Sequence, residues 1–304
     1  MSNNKPDTCS GVLVVNKHEG VTSHRIISAI RKLFDTRKVG HTGTLDPMAT
    51  GVLPILIGRA AKASDYLMAE DKRYTAEMKL GLTTDTEDIT GEVLTTSSAI
   101  PTEEEVKAAC RRFVGTISQV PPMYSAIKVD GRKLVDIARE GGEVERKARE
   151  VNIYSLDCEK ISPDTYRLDV ACSKGTYIRT LCKDIGEALG CGAVMSALVR
   201  TQTGVFTLEE SITIAELEEM TFEERLALPK PVESLFMDFP VININEFYAK
   251  LIRGGTELYQ KKLKTDYPVG QLIRLRCKGE FIALGRVSEY EAGTAVKPEK
   301  LFVL

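Results

Sequence analysis

Histidine is scarce in this chain: only His18, His24 and His41 occur among its 304 residues. None of the three stands at the spacing of a metal-binding pair or of a Ser/His/Asp triad, which disfavours metallohydrolases and triad hydrolases. The glycine-rich phosphate-binding patterns GxxxxGKS/T and GxGxxG are also missing. The sequence therefore indicates neither a metal site nor a cofactor.

The seven cysteines are scattered along the chain and form no CxxC pair. This odd, dispersed set predicts free thiols in a reducing compartment rather than a disulfide framework or a zinc site. No uninterrupted apolar run approaches the length of a membrane-spanning helix, and the first eleven residues, MSNNKPDTCSG, contain no apolar signal segment. We expect a cytoplasmic protein that does not enter a membrane.

The formal net charge of −2 conceals an uneven distribution of charge. Residues 209–224 contain seven Glu and no Lys or Arg, whereas residues 250–278 contain eight basic residues against Glu257 and Asp266. A basic segment of this kind is suited to phosphate contacts, although a solvated surface gives the same pattern. Charge alone leaves both interpretations open.

Hydrophobic periodicity predicts strands and helices in succession. The predicted strands are 11–16, 73–80, 166–172, 194–200, 273–277 and 281–287. Three helices are predicted after the caps Ser23, Thr102 and Thr213. A fourth helix is predicted to begin near residue 178 and to end at Gly190. Three prolines between residues 229 and 240 predict a linker before a small basic β domain.

One stretch, GHTGTLDPMATGVLPILIGR at residues 40–59, combines four glycines and two prolines with a single Asp. Pro47 biases Asp46 away from the helical region, so its carboxylate is expected in a stiff, extended loop. The apolar run that follows predicts a buried strand, with Pro54 at a sheet edge or a bulge. A rigidly held reactive carboxylate and a turn whose Asp only binds backbone amides are both compatible with this stretch.

Two further residues stand out against the patterns around them. Tyr74 falls on the apolar face of the strand at 73–80, where a core tyrosine is the simpler interpretation. Arg179 falls in the first turn of the helix near residue 178 and off its apolar stripe. A cation gains nothing from the helix dipole at that end, so Arg179 is expected to have an anionic partner.

Residues 120–150 differ in character from their surroundings. The stretch VPPMYSAIKVDGRKLVDIAREGGEVERKARE contains two prolines, a DG turn, a short helix pattern, a Gly141-Gly142 stop and an RKAR cluster. This composition predicts a projecting basic excursion that could grip a polyanion.

Four ordered blocks, GHTGTLDPMATGVLPILIG, KRYTAEMKLG, PPMYSAIK and CSKGTYIRTL, closely resemble those of the bacterial tRNA pseudouridine-55 synthases of the TruB family. The similarity extends over essentially the whole chain. It implies an α+β fold, with a mixed, largely antiparallel sheet and flanking helices in a catalytic domain at residues 1–238. An RNA-gripping insertion at about 124–150 and a small PUA-like RNA-binding β domain at 239–304 are also implied.

The resemblance implies roles for individual residues. Asp46 corresponds to the catalytic aspartate, Tyr74 to the tyrosine that packs on the target base, and Arg179 to the arginine that pairs with the aspartate. The further positions that contact the substrate or line its pocket are Lys17, His41, Tyr177 and Leu198. We expect Arg179 to offset the effect of burial on the pKa of Asp46.

The chain departs from the family pattern at three positions. His18 stands where Pro is usual, and Val199 and Gln202 stand where basic residues are common in an LRRTR-like stretch. The first departure affects the expected geometry of the loop after Lys17. The other two remove candidate phosphate contacts.

The implied activity is the isomerisation of the uridine in the T-arm loop of tRNA to pseudouridine, by base flipping and a catalytic aspartate. The implied partner is the T arm of tRNA, bound by a monomer that needs no cofactor and no protein partner. Two alternatives stay open. One is a non-catalytic tRNA-binding protein of the same fold, and the other is a single-carboxylate nucleoside hydrolase or transferase that acts on small molecules.

Overall fold

The computed structural model describes residues 9–303 of the chain. Residues 1–8, which form most of the polar N-terminal stretch considered above, and residue 304 lie outside the described residues. The strands up to residue 207 are β1 (Gly11–Lys17), β2 (Val39–His41), β3 (Thr50–Ile57), β4 (Lys72–Leu80), β5 (Leu82–Thr84), β6 (Val93–Thr96), β7 (Gly115–Gln119), β8 (Lys128–Val129), β9 (Arg132–Lys133), β10 (Arg149–Lys160), β11 (Thr165–Cys172), β12 (Ala193–Thr203) and β13 (Phe206–Thr207).

Nine of these strands form one sheet in the order β1-β3-β12-β4-β11-β10-β7, with β2 paired to β3 and β13 to β12. Strands β3 and β12 run parallel, and the remaining pairings in this sheet are antiparallel. The strand pairs β5-β6 and β8-β9 form two separate hairpins. The predicted α+β fold with a mixed, largely antiparallel sheet is confirmed.

Helices lie between the strands and flank the sheet. They are α1 (Ser23–Leu33), α2 (Ser64–Met68), α3 (Glu103–Arg111), α4 (Leu134–Arg139), α5 (Ile178–Leu189), α6 (Ile214–Glu219), α7 (Phe222–Ala227), α8 (Glu246–Arg253) and α9 (Gln260–Leu263), with 3₁₀ turns at Gly58–Ala63 and Val232–Phe236. The capping boxes predicted at Thr102 and Thr213 are both present, and Gly190 ends α5 in the left-handed conformation at φ 73°.

The start of α1 differs by one residue from the prediction. Thr22, not Ser23, caps the helix, because the Thr22 side chain accepts a hydrogen bond from the amide of Arg25. Ser23 is buried, and its hydroxyl both donates to the carbonyl of Leu45 (3.1 Å) and accepts from the Leu45 amide (2.9 Å). The serine therefore ties the helix to the loop that carries Asp46.

Strand β3 lies inside the sheet and pairs with β1 without a bulge, so the predicted sheet edge or bulge at Pro54 is wrong. One side of β3 pairs with β1 along its whole length, while the other side pairs with β12 at Thr50 and Gly51 and with β2 from residue 55 onward. Pro54 lies between these two partners, and its carbonyl accepts a hydrogen bond from the Thr42 amide (3.3 Å). A residue without an amide hydrogen is tolerated there because the partner strand changes at this point.

The C-terminal part of the described chain forms a second sheet with its own apolar core. Its strands are β14 (Val241–Ile244), β15 (Leu258–Tyr259), β16 (Leu272–Cys277), β17 (Glu280–Tyr290) and β18 (Gly293–Leu301), in the order β14-β16-β17-β18-β15. Phe236 packs between the two sheets, with its ring 5.3 Å from that of Tyr66 and 5.9 Å from that of Phe281. The domain boundaries at residues 238 and 239 stay a prediction, in the connection that precedes β14.

All seven cysteines are free thiols, five of them buried. Between residues 9 and 303, no cluster of His, Cys, Asp and Glu side chains has the makings of a metal site. Within the same residues, no helix combines the length and the apolar character needed to span a membrane.

Candidate active site

The loop at residues 42–49 connects β2 to β3 and carries Asp46 near its middle. Ser23 of α1 holds the preceding residue, Leu45, through the two hydrogen bonds described above. The amide of Gly20 donates to the carbonyl of Pro47 (2.9 Å), and the amide of Ala49 donates back to the carbonyl of Asp46 (3.1 Å). The Asp46 backbone is therefore fixed on both sides, as the sequence of the loop predicts.

Lys17, at the end of β1, is fully buried beneath this loop. Its ammonium donates to the carbonyls of His18 (3.0 Å), Pro47 (3.1 Å) and Ala49. Burial lowers the pKa of Lys17 to about 8, although Asp46 acts in the opposite direction. The observed contacts of Lys17 hold the loop in place, and its predicted contact with substrate stays a prediction.

Arg179 pairs with Asp46, as the sequence predicts for an arginine at this point of a helix. The Arg179 Nε lies 3.0 Å from Asp46 Oδ2, and Nη2 donates to Oδ1 at 3.4 Å. The arginine side chain is only 4 % exposed, whereas 35 % of the Asp46 side chain is accessible. A partly accessible carboxylate is thus held by a buried cation.

Asp88 was missed in the sequence, where its segment reads only as a polar loop. Its Oδ2 lies 3.7 Å from Arg179 Nη1, and its Oδ1 accepts from the hydroxyls of Thr86 (2.8 Å) and Thr90 (2.6 Å) and from the Thr90 amide (3.0 Å). Arg179 also donates to the carbonyls of Thr86 (3.0 Å) and Tyr124 (2.8 Å). These contacts fix the guanidinium on the side away from Asp46.

The start of α5 is clamped by a second residue that the sequence did not reveal, Gln119. This side chain is fully buried, accepts from the Tyr177 amide (2.8 Å) and donates to the Tyr177 carbonyl (3.0 Å). Tyr177 is the N-cap residue of α5, two positions before Arg179. Its ring lies 4.9 Å from the guanidinium carbon of Arg149, so Tyr177 stands between the excursion and the active site.

Tyr74 and Leu198 lie on one face of the adjacent strands β4 and β12. Tyr74 is opposite Arg200, and Leu198 is opposite Ala76, so side chains two residues apart share this face. Both predicted residues are buried, with Tyr74 8 % and Leu198 7 % exposed. Burial raises the pKa of Tyr74, which Arg200 opposes and Asp46 reinforces.

His41 ends β2, directly before the loop that carries Asp46. Its Nδ1 is buried and has no hydrogen-bond partner among the described residues. Burial lowers the pKa of His41, and electrostatic interactions with Arg200 and His24 lower it further. The lowered pKa favours the neutral imidazole at pH 7, with an unpaired polar atom beside the loop that carries Asp46.

The pKa of Asp46 is raised above its ordinary value. Burial is the largest cause, Asp88 adds to it, and the opposing cations are Arg179 and Lys17. Arg179 therefore offsets only part of the rise in the pKa of Asp46 that burial causes, whereas the sequence analysis expected it to offset the rise. The arrangement presents one partly accessible carboxylate with the raised proton affinity of a desolvated acid.

The three departures from the family pattern lie at the margins of this site. His18 is exposed, and its carbonyl binds Lys17. Val199 pairs across the sheet with Thr50 and Thr75, and Gln202 donates to the carbonyl of Gly204 (2.7 Å). None of these contacts involves Asp46 or Arg179.

Comparison with protein families matches residues 31–178 to the TruB family pseudouridylate synthase N-terminal domain and residues 179–236 to the tRNA pseudouridylate synthase B C-terminal domain. The chain is 44 % identical over 285 residues to a tRNA pseudouridine synthase B from Alkaliphilus oremlandii, covering 91 % of this chain and 93 % of that protein. It is 43 % identical over 298 residues to the one from Clostridium perfringens (strain 13 / Type A), covering 97 % and 99 %.

The fold is also similar to a solved chain from a Cbf5-Nop10-Gar1 complex. The TM-score is 0.72 at 27 % identity, and the match covers 98 % of this chain and 88 % of that chain. Since the family models and the similar proteins together span nearly the whole sequence, the chain belongs to the TruB family of pseudouridylate synthases.

Proposed function

We propose that this chain isomerises the uridine in the T-arm loop of tRNA to pseudouridine, with Asp46 as the catalytic residue. Membership of the family makes the chain an isomerase of tRNA uridine. The observation that carries the proposal for Asp46 is its ion pair with the buried Arg179, at 3.0 Å, in a loop fixed from several sides. A single preorganised carboxylate suits this reaction.

Pseudouridine formation breaks the bond between N1 of uracil and C1′ of the ribose and makes a new bond from C5 to C1′. The electron pair of the broken bond stays on the uracil ring, the ring rotates, and the proton displaced from C5 is balanced by one gained at N1. Most glycosidases need two carboxylates, because their leaving group requires a general acid. Uracil can leave as a delocalised anion, so one ionised carboxylate near C1′ is sufficient.

The remaining side chains of the site receive roles that agree with their positions. Tyr74 stacks on the uracil ring, and Leu198 lines the same face of the pocket. His41 and Tyr177 contact the RNA from the two edges of the site, on β2 and at the start of α5. Lys17 contributes through the loop that it holds rather than through an exposed contact, since it is fully buried.

The target uridine reaches Asp46 by leaving the stacked loop of the RNA. Such extrusion costs a few kcal/mol, which stacking on aromatic side chains and contacts to the backbone offset. The excursion at 124–150 and the basic C-terminal sheet are the proposed phosphate-binding parts. Support comes from Lys128 and Lys133, which are exposed and face each other across the hairpin β8-β9, where two like charges favour an anionic partner.

We include in the proposal that the protein acts as a monomer in the cytoplasm, without a cofactor or a protein partner. Its support is that the catalytic loop, the excursion and the C-terminal sheet all belong to one chain. Isomerisation also consumes no external atom or electron, so the reaction itself requires no cofactor.

The experiment that tests the proposal is tritium release from T-arm RNA labelled at C5 of uracil. Wild type should release tritium, Asp46→Asn should not, and Asp157→Asn, a change at an exposed aspartate on β10, should behave as wild type. Binding of the RNA by wild type without any release would favour the non-catalytic alternative. Turnover of free uridine that does not need residues 240–304 would favour the small-molecule alternative.

A further inference from the structure

Arg200 is a buried cation that the roles above leave unused. It lies on β12 and is only 1 % exposed, which makes it the largest of the fully buried side chains. Within residues 9–303, no carboxylate lies within 4 Å of its guanidinium. A buried charge without a carboxylate partner is expensive, so its presence requires a reason.

The guanidinium is bonded to the backbone on both sides of Asp46, in the loop at 42–49 and in β3. Its Nε donates to the carbonyl of Val52 (2.7 Å), and its Nη2 donates to the carbonyl of Gly43 (3.2 Å). The backbone approaches equally closely at Gly51, where φ is +99° and an added Cβ would lie 2.3 Å from the Arg200 carbonyl oxygen. The Arg200 backbone is therefore tightly packed against β3, and two hydrogen bonds hold its guanidinium.

The remaining side of the guanidinium faces Tyr74. The two residues are directly opposite each other on neighbouring antiparallel strands, which places their side chains on the same face of the sheet. Tyr74 is 8 % exposed, and Arg200 opposes the rise in its pKa that burial causes. The hydroxyl of the stacking tyrosine thus lies beside a fixed positive charge.

The other two cations of the pocket are differently placed. Arg179 is paired with Asp46 and Asp88, at 3.0 and 3.7 Å. Lys17 donates to three carbonyls and is attracted by Asp46. Of the three cations, Arg200 combines hydrogen bonds to the backbone with a charge that has no ion-pair partner among residues 9–303.

We propose that Arg200 is a positioning residue for the isomerisation, which acts through Tyr74 to hold a positive charge beneath the uracil ring. This inference rests on the proposed function. When the bond between N1 and C1′ breaks, the electron pair stays on the ring that stacks on Tyr74, and a fixed cation in a water-poor pocket stabilises that charge. Arg200 neither gives nor takes a proton in the reaction.

A phosphate contact is the competing role for an arginine in this stretch. Exposure of 1 % argues against it, because RNA phosphates do not reach a guanidinium bonded to the backbone inside a sheet. The two roles differ in their salt dependence. Loss of a phosphate contact lowers the slope of log affinity against log salt by about 0.7 to 0.9, whereas loss of an internal cation leaves the slope unchanged.

The test compares Arg200→Met and Arg200→Lys with wild type, in single-turnover tritium release and in tRNA binding. Arg200→Met should lower the single-turnover rate by about 10²-fold, with the dissociation constant within about twofold of wild type and the salt slope unchanged. Arg200→Lys should recover at least about tenfold of that rate, because the charge is restored. Arg225→Met, which removes an arginine of α7 that is bonded to the carbonyls of Thr221 (3.2 Å) and Leu33 (3.1 Å), should keep the wild-type rate.

The dependence of the rate on pH separates this role from a general distortion of the loop. The charges that shift the pKa of Asp46 are those of Arg179, Asp88 and Lys17. Arg200→Met should therefore leave the acid limb of the pH profile in place. A shifted acid limb, a reduced salt slope or a wild-type rate in Arg200→Met would overturn the proposal. If Arg200→Met does not fold, Arg200→Lys must show a lower rate with unchanged binding, or the proposal is overturned. Absence of tritium release by wild type would instead overturn the proposed function itself.

Discussion

Gln119→Leu tests whether the start of α5 positions Arg179. The amide of Gln119 makes two hydrogen bonds to Tyr177, at 2.8 and 3.0 Å, and leucine keeps the volume while removing both. The Tyr177 amide then loses its partner, whereas the Tyr177 carbonyl still accepts from the Leu181 amide (3.0 Å). One buried group left unpaired and one hydrogen bond lost cost about 2–3 kcal/mol together.

This loss of stability is measurable by thermal unfolding. For a domain of this size, about 2–3 kcal/mol corresponds to a decrease of about 5–10 °C in Tm. The rate should fall as well, since Tyr177 precedes Arg179 by two residues and a misplacement of about 1 Å can cost about 10²-fold. We expect a single-turnover rate at least about tenfold below wild type, with tRNA affinity little changed.

Gln202→Leu is the matched control for this experiment. Gln202 is half-buried and makes one hydrogen bond, to the carbonyl of Gly204 (2.7 Å), and it contacts no part of α5 among the described residues. Its replacement should lower the unfolding free energy by about 1 kcal/mol at most and leave the rate unchanged. The reasoning is refuted if Gln119→Leu has the Tm of Gln202→Leu and the rate of wild type.

Three further changes test the charges of the site. Asp46→Asn should raise the Tm at pH 7. The pKa of Asp46 is higher in the folded than in the unfolded protein. The carboxyl of Asp46 therefore stabilises the fold fully at pH values below its unfolded pKa, and this stabilisation is lost as the pH rises through its folded pKa. The gain should vanish in unfolding measurements near pH 3. Arg179→Met removes a cation that lowers the pKa of Asp46, so the acid limb of the residual rate should lie at higher pH than that of wild type, with a rise of up to about tenfold per pH unit along the limb. A flat profile would contradict this. Replacing Lys128 and Lys133 together by Ala should weaken tRNA binding and reduce its salt slope by about 1–2, with the rate at saturating RNA unchanged. An unchanged slope would place the RNA elsewhere.

Local features of the fold were predictable because their causes are local. The capping boxes at Thr102 and Thr213 each need only a residue three positions away, and Gly190 needs only its own backbone freedom. The stiff loop around Asp46 follows from Pro47 in the same way. The cap at Thr22 instead of Ser23 was not predictable from the helix segment alone, because the Ser23 hydroxyl bonds to Leu45, 22 residues away.

The supports of the site were not predictable because they join distant parts of the chain. Gln119 and Tyr177 are 58 residues apart, and Arg179 and Thr86 are 93 residues apart. Periodicity reveals that a residue is buried but not which residue it meets, since that depends on strand register. One signal was nevertheless available: Arg200 follows Leu198 by two residues on a strand, so a charge stood on the apolar face.

The loop of Asp46 is held by three elements, each through a different chemical group. Lys17 of β1 binds its last carbonyls, Ser23 of α1 binds Leu45, and Arg200 of β12 binds Gly43. None of these three side chains bonds to the carboxylate, so among residues 9–303 Asp46 has one ion-pair partner, Arg179, and it keeps an accessible face. Because the backbone is fixed independently of the charge, the carboxylate can lose its preferred partner to a substrate without the loop moving. The proposed function depends on this separation, because its chemistry uses one carboxylate whose position determines the rate.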